Sequence, residues 1–172
     1  MSANTLNLVI GTASARAEYA ADLGKTVTVN GKRYRLVKAA ATIASASGMA
    51  LVSAQSGGLP TFSVNTSTTA NDPTIIGIVP VGQVGSTGTT SIQSGDYFYV
   101  QVAGFAQVKC TAGTIAGDLL SASATAGSLA TALAAGATTF SAGTFKGACA
   151  VTLEAVAATL AGHVGVRLCN LD

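Results

Sequence analysis

The chain has 172 residues, enough for one domain, or a domain with a smaller extension, whose core needs no metal or disulfide to hold it. Hydrophobic residues make up 49%, but aromatics only 5%, and charged residues only 9%, against roughly a quarter in an ordinary soluble protein. A surface of Ala, Gly, Ser and Thr suits a chain packed into a larger assembly, although secreted and low-complexity proteins share it. No apolar run of about 20 residues is present, so no transmembrane helix is expected. Nor is a signal peptide, because no charged start leads into an apolar core.

The formal charge of +2 is unevenly placed. Residues 1–38 hold six Lys/Arg against two acids, a net +4, and residues 39–172 hold three against five, a net −2. The positive end suits an acidic protein surface or nucleic acid.

Residues 12–23, TASARAEYAADL, read as a short helix or as an extended arm, ended by Gly24 in either case. Residues 25–38, KTVTVNGKRYRLVK, carry the strongest local signal. Val27 and Val29 alternate with Thr26 and Thr28, Asn30–Gly31 supplies a tight hairpin turn, and Tyr34 and Leu36 resume the alternation with Arg33 and Arg35 opposite. Residues 39–47 are ambiguous, and MALVSA after Gly48 reads as a strand. Residues 53–74, with Gly57, Gly58, Pro60 and the polar NTSTTANDP, are the expected boundary. This divides the chain into an N-terminal arm with a basic hairpin, residues 1–60, and a β body, residues 74–172.

From Ile75 onward short strands recur. TIIGIVPVGQV is one, with Pro80 at an edge or bulge. YFYVQVAG and AQVKC alternate next, followed by KGACAVTLEA and HVGVRLCNL. The Ala-, Ser- and Thr-rich tract 121–143 reads as exposed loops around SLATALAA. The fold class expected is mainly β: a compact β-barrel or β-sandwich with an extended or partly helical N-terminal region.

The residues that carry chemistry do not assemble into a site. His163 is the sole histidine, no nucleophile elbow occurs, and Gly24–Lys25 and Gly31–Lys32 lack the earlier glycine of a phosphate loop. Cys110, Cys149 and Cys169 lack zinc spacing and read as buried small hydrophobes, with one disulfide left open. Asp72, Asp96, Asp118, Glu154 and Asp172 are dispersed. The two Gly-Asp units, Gly95–Asp96 and Gly117–Asp118, echo each other 22 residues apart and read as a repeated device that feeds chain into a strand. No enzyme, cofactor or metal is expected.

Two stretches, TSIQSGDYFYVQVAGFAQVKCTAGTIAGDLLSASATAG and FKGACAVTLEAV with GHVGVRLCNL, resemble the head decoration (capsid cement) proteins of tailed bacteriophages. The shared pattern is a Gly-Asp unit before an apolar strand, a following strand, a second Gly-Asp unit, a strand ending in Leu-Glu-Ala, and a Val-rich closing strand. The resemblance implies a virion structural protein on the outer surface of the capsid, made in the host cytoplasm, that bridges major capsid subunits and self-associates as a trimer. A phage tail, baseplate or fibre component is the alternative. Arg16, Lys32, Arg33, Arg35 and Lys38 are the candidate capsid contacts. No membrane is implied, and direct nucleic-acid binding is not expected.

Overall fold

The computed structural model describes residues 8–44, 46–56, 59–111, 113–137, 149–153 and 162–169. Its strands in chain order are β1 (Thr26–Val29), β2 (Lys32–Ala39), β3 (Ala50–Ser56), β4 (Leu59–Thr66), β5 (Ile75–Ile78), β6 (Tyr97–Cys110), β7 (Leu119–Ala122), β8 (Leu129–Leu133), β9 (Ala150–Thr152) and β10 (Gly162–Leu168). They form a single sheet in the order β1-β2-β4-β3-β5-β6-β10-β9-β7-β8, with further pairings of β2 to β6 and β6 to β8. Those two extra pairings close the sheet twice. β2, β4, β3, β5 and β6 make one five-stranded barrel, and β6, β10, β9, β7 and β8 make a second ring. β6, 14 residues long, belongs to both.

Each ring has its own core. Val37, Ala39, Leu51, Val64, Ile76, Phe98, Val100 and Val102 come from all five strands of the first. Ala106, Val108, Cys110, Leu120, Ala122, Leu129, Ala150, Val166 and Leu168 come from all five of the second. Ala50, Ile75 and Ile78 join the second cluster and tie the rings together. A five-stranded ring is narrower than the eight-stranded barrels whose interiors side chains just fill. Its lining must be small, which accounts for a composition rich in Ala and Val and poor in aromatics. Among the described residues, Phe98 is the largest fully buried side chain.

The expected hairpin is present. Val29 pairs with Lys32 around Asn30 and Gly31, whose φ of 50° and 73° are those of a type I′ turn. It is not part of a separate arm: β2 pairs with β6 from Arg33 to Lys38 and with β4 at Lys38 and Ala39, so the first barrel draws strands from both sides of the expected boundary. The stretch expected to be linker holds β4, which its composition disguised because half of its residues are exposed and only Val64 is fully buried. Likewise the tract 121–143, expected as loops around SLATALAA, holds the end of β7, and SLATALAA itself carries β8. Here Ser121, Ser123 and Ser128 are buried, since small polar side chains fit the narrow second ring. Residues 12–23 combine both expected forms. Thr12 and Ser14 bridge in extended form to Val84 and Tyr97, and a 3-10 helix follows at Ala17–Asp22.

YFYVQVAG and AQVKC are one strand with a hinge at Gly104. This glycine has φ +92°, and a Cβ there would stand 2.9 Å from the Gly31 carbonyl oxygen at the tip of the hairpin. Buried Gln101 braces the hinge, its Nε2 donating to the carbonyls of Ala103 (3.1 Å) and Phe105 (2.8 Å).

Candidate interaction surface

Asp72, Asp96 and Asp118 hold turns. Gln93–Asp96 and Ile115–Asp118 are matching turns. In each, the Asp N–H donates to the carbonyl three residues back at 3.1 Å, the third residue is Gly with φ +89°, and the Asp carboxylate accepts the N–H of the first residue at 3.0 Å. The turns also dock alike. Gly95 N–H donates to the Ala39 carbonyl and Ala39 N–H to the Asp96 carbonyl, while Gly117 and Asp118 make the same two bonds with Thr152. One turn therefore pins the end of β2 in the first barrel, and the other pins the end of β9 in the second.

The Asp118 carboxylate accepts three bonds, adding Thr131 Oγ1 (2.7 Å) and Ala135 N–H (2.8 Å) to that of Ile115. Burial pushes its carboxyl upward, but the bonds from Ile115, Thr131 and Ala135 outweigh burial and hold it below the ordinary aspartate value. Asp96 accepts from Ser86 and Gln93, and Asp72 from the N–H and hydroxyl of Thr74. Glu154 and Asp172 lie outside the described residues. His163 is in β10, across the ladder from Lys109. No group of His, Cys, Asp and Glu suited to a metal occurs among the described residues. None of their helices is long and apolar enough to cross a membrane.

Cys110 and Cys149 are buried in the second core, and Cys169 is half-buried. Burial raises the Cys110 thiol to about 12, and raises that of Cys149 as well, with added repulsion from Cys169 and Cys110. A thiol-exchange reagent at about pH 8 should therefore leave both unmodified in the folded protein, since the thiolate is the reactive form, and label them once urea unfolds it. Rapid labelling of Cys110 in the native state would contradict this packing.

The basic residues are divided between two faces. Pleating places Lys32, Tyr34, Leu36 and Lys38 on the outer side of β2, and Arg33, Arg35, Val37 and Ala39 on the side that lines the first barrel. Lys32 lies over the Phe105 ring at 6.0 Å, Arg35 over Phe62 at 5.8 Å, and Lys38 over Tyr97 at 5.4 Å, all within cation–π reach. Arg33 and Arg35 are half-buried. Arg16 stands apart from the strand just before the 3-10 helix, with its side chain 73% exposed and Glu18 3.5 Å away. The outer side of β2 thus unites Lys32 and Lys38, while Arg33 and Arg35 line the barrel.

That outer side is aromatic. Tyr19, Tyr34, Tyr97 and Tyr99 form one buried cluster with Leu36, under Leu8, Ile10 and Leu23 of the N-terminal segment. Tyr19 and Tyr97 meet at 6.2 Å between ring centroids. Desolvation raises the phenols of Tyr34 and Tyr99, and Asp22 and Tyr19 add to the rise at Tyr99. Beside the cluster, a cleft of about 360 Å³ opens between Ile10, Lys32, Tyr34, Val81, Gln101 and Phe105. Its rim exposes Val81 and Phe105, at 52% and 49%. Sequence reasoning found Lys32 and Tyr34 but missed Phe105 and Val81, whose only signal is apolar character at a turn and at a strand hinge.

Fold and surface together define a class: a twin-ring β scaffold, its buried acids spent on turns, that presents a strip of cations seated on aromatic rings. No protein-family model matches the chain, and no curated protein matches it. Among solved structures, its shape is similar to that of the head fiber gp8.5 N base of bacteriophage phi29. The TM-score is 0.48 and the identity 14%, over 80% of this chain and 93% of that one. A likeness of that strength carries no argument about function.

Proposed function

We propose that the chain is a virion structural protein of a tailed phage, with no catalytic role, that decorates and stabilises the assembled capsid by bridging neighbouring major capsid subunits. One observation carries this reading. The stretches that resemble head decoration proteins fall on β6, β7, β9, β10 and the two Asp-closed turns, whose polar groups are spent on holding a scaffold together. A charge-poor double barrel resists deformation, and Lys32 and Lys38 offer cations on one outer strip to an acidic capsid surface. Binding the shell more tightly than free subunits shifts the assembly equilibrium toward the shell, and many copies multiply a modest contact.

Lys32→Glu with Lys38→Glu should leave the fold intact and weaken co-sedimentation with capsid shells by about ten-fold or more, with wild-type binding falling as salt rises. All four residues are half-buried, but Arg33 and Arg35 are poorer test sites because they line the barrel, where a reversed charge disturbs the fold itself. Undiminished shell binding by the double variant would remove these lysines from the interface.

A further inference from the structure

Among the described strands, one lies along its whole length at an open edge. β1 is the only one outside both rings; it pairs with β2 alone, and all its residues are exposed. A two-residue hairpin turn makes Val29 and Lys32 a hydrogen-bonded pair, so alternation makes Val27 and Tyr34 the next. The bond from Leu36 N–H to the Lys25 carbonyl, at 2.9 Å, keeps the same phase one step on. Thr26 and Thr28 therefore aim their N–H and C=O groups away from β2, and no described residue takes them up.

We infer that this edge takes up an extended acidic segment of a partner protein as an added strand. The charge around it selects the partner. Lys25, Lys32, Arg33, Arg35 and Lys38 stand in one hairpin with no acid between residues 25 and 38, and Asp22 pairs with Lys25 alone among them. A second copy adding its own β1 would set two such cationic hairpins side by side in one sheet, which like-charge repulsion opposes. Pairing across β1 and β2 also sets the partner's pattern. Thr26 and Thr28 share a face with Arg35 and Arg33, and Val29 shares the other with Lys32, so an added strand meets cations on both sides. Val27 and Val29, 36% and 44% exposed, also offer that second side to apolar residues.

That the segment comes from a capsid subunit rests on the function proposed above; the edge itself is tested without it. The probe is fluorescein-labelled Glu-Val-Glu-Val-Glu-Val, with Lys-Val-Lys-Val-Lys-Val as control, read by anisotropy and by amide exchange. The acidic peptide should bind and slow exchange at the Thr26 and Thr28 amides, and the basic one should not. Thr28→Pro removes an outward N–H without touching the ladder to β2, so it should keep the wild-type melting profile and lose about ten-fold in affinity. Equal affinity in Thr28→Pro, protection elsewhere, or no binding of the acidic peptide would each overturn the inference. So would a dimer that Thr28→Pro dissolves, which would give the edge to a second copy. Thr28→Pro sedimenting with shells as wild type does would detach the edge from capsid binding, whereas failure of the wild type to sediment would sink the capsid reading alone.

Discussion

Asp118→Ala should destabilise the protein by about 3 kcal/mol, because it strips a buried charged acceptor from three donors at once. The Ile115 and Ala135 amides and the Thr131 hydroxyl all point at this carboxylate, which is 1% exposed. Its loss also releases the turn that pins Thr152 at the end of β9 and starts β7. Urea unfolding should report the drop, and a change within 0.5 kcal/mol or so would mean that the turn stands without its acid. Acid titration adds a second check. The folded carboxyl lies below its ordinary value of 3.8, so its contribution is present above that value and is lost as pH falls through the folded pKa. The stability gap between wild type and Asp118→Asn should accordingly be wide at neutral pH and narrow in acid. A gap that stays constant into acid would contradict the assigned charge.

Gly104→Ala should cost a similar amount, about 3 kcal/mol, from two sources. An L-residue at φ +92° is strained by itself, and the added Cβ would press on the Gly31 carbonyl oxygen at 2.9 Å. That oxygen belongs to the backbone of a tight turn, which yields less readily than the end of a flexible side chain. Since Gly104 is where β6 passes from one ring to the next, the substitution should loosen the hairpin tip as well as lower the unfolding midpoint. Amide exchange at residues 30–33 separates these effects. An alanine variant as stable as wild type would mean that β6 can turn the hinge without a glycine.

Local features were legible in the sequence, and closure was not. The Asn30–Gly31 turn and the alternation around it are short-range, so the hairpin could be read directly. The echo of the two Gly-Asp units was legible for the same reason, since each turn is complete within four residues. Their shared docking on Ala39 and Thr152 was not, because those partners lie 57 and 34 residues from Asp96 and Asp118. Gly104 interrupts the alternation of β6, so one long strand read as two. β4, β8 and the end of β7 hid behind polar and small residues that look like linker but fit the wall of a narrow ring. The basic cluster was visible as a run in sequence. Strand pleating then divided it, and the rings beneath Lys32, Arg35 and Lys38 come from β4 and β6.

The central claim is that this scaffold works from the outside of a capsid. Immunogold imaging of purified phage particles that contain the chain, using an antibody raised against it, tests this most directly. Gold should spread over the outer surface of intact heads, with less of it on heads whose copies carry Lys32→Glu and Lys38→Glu. Gold confined to the tail or baseplate, or particles free of the chain, would contradict it.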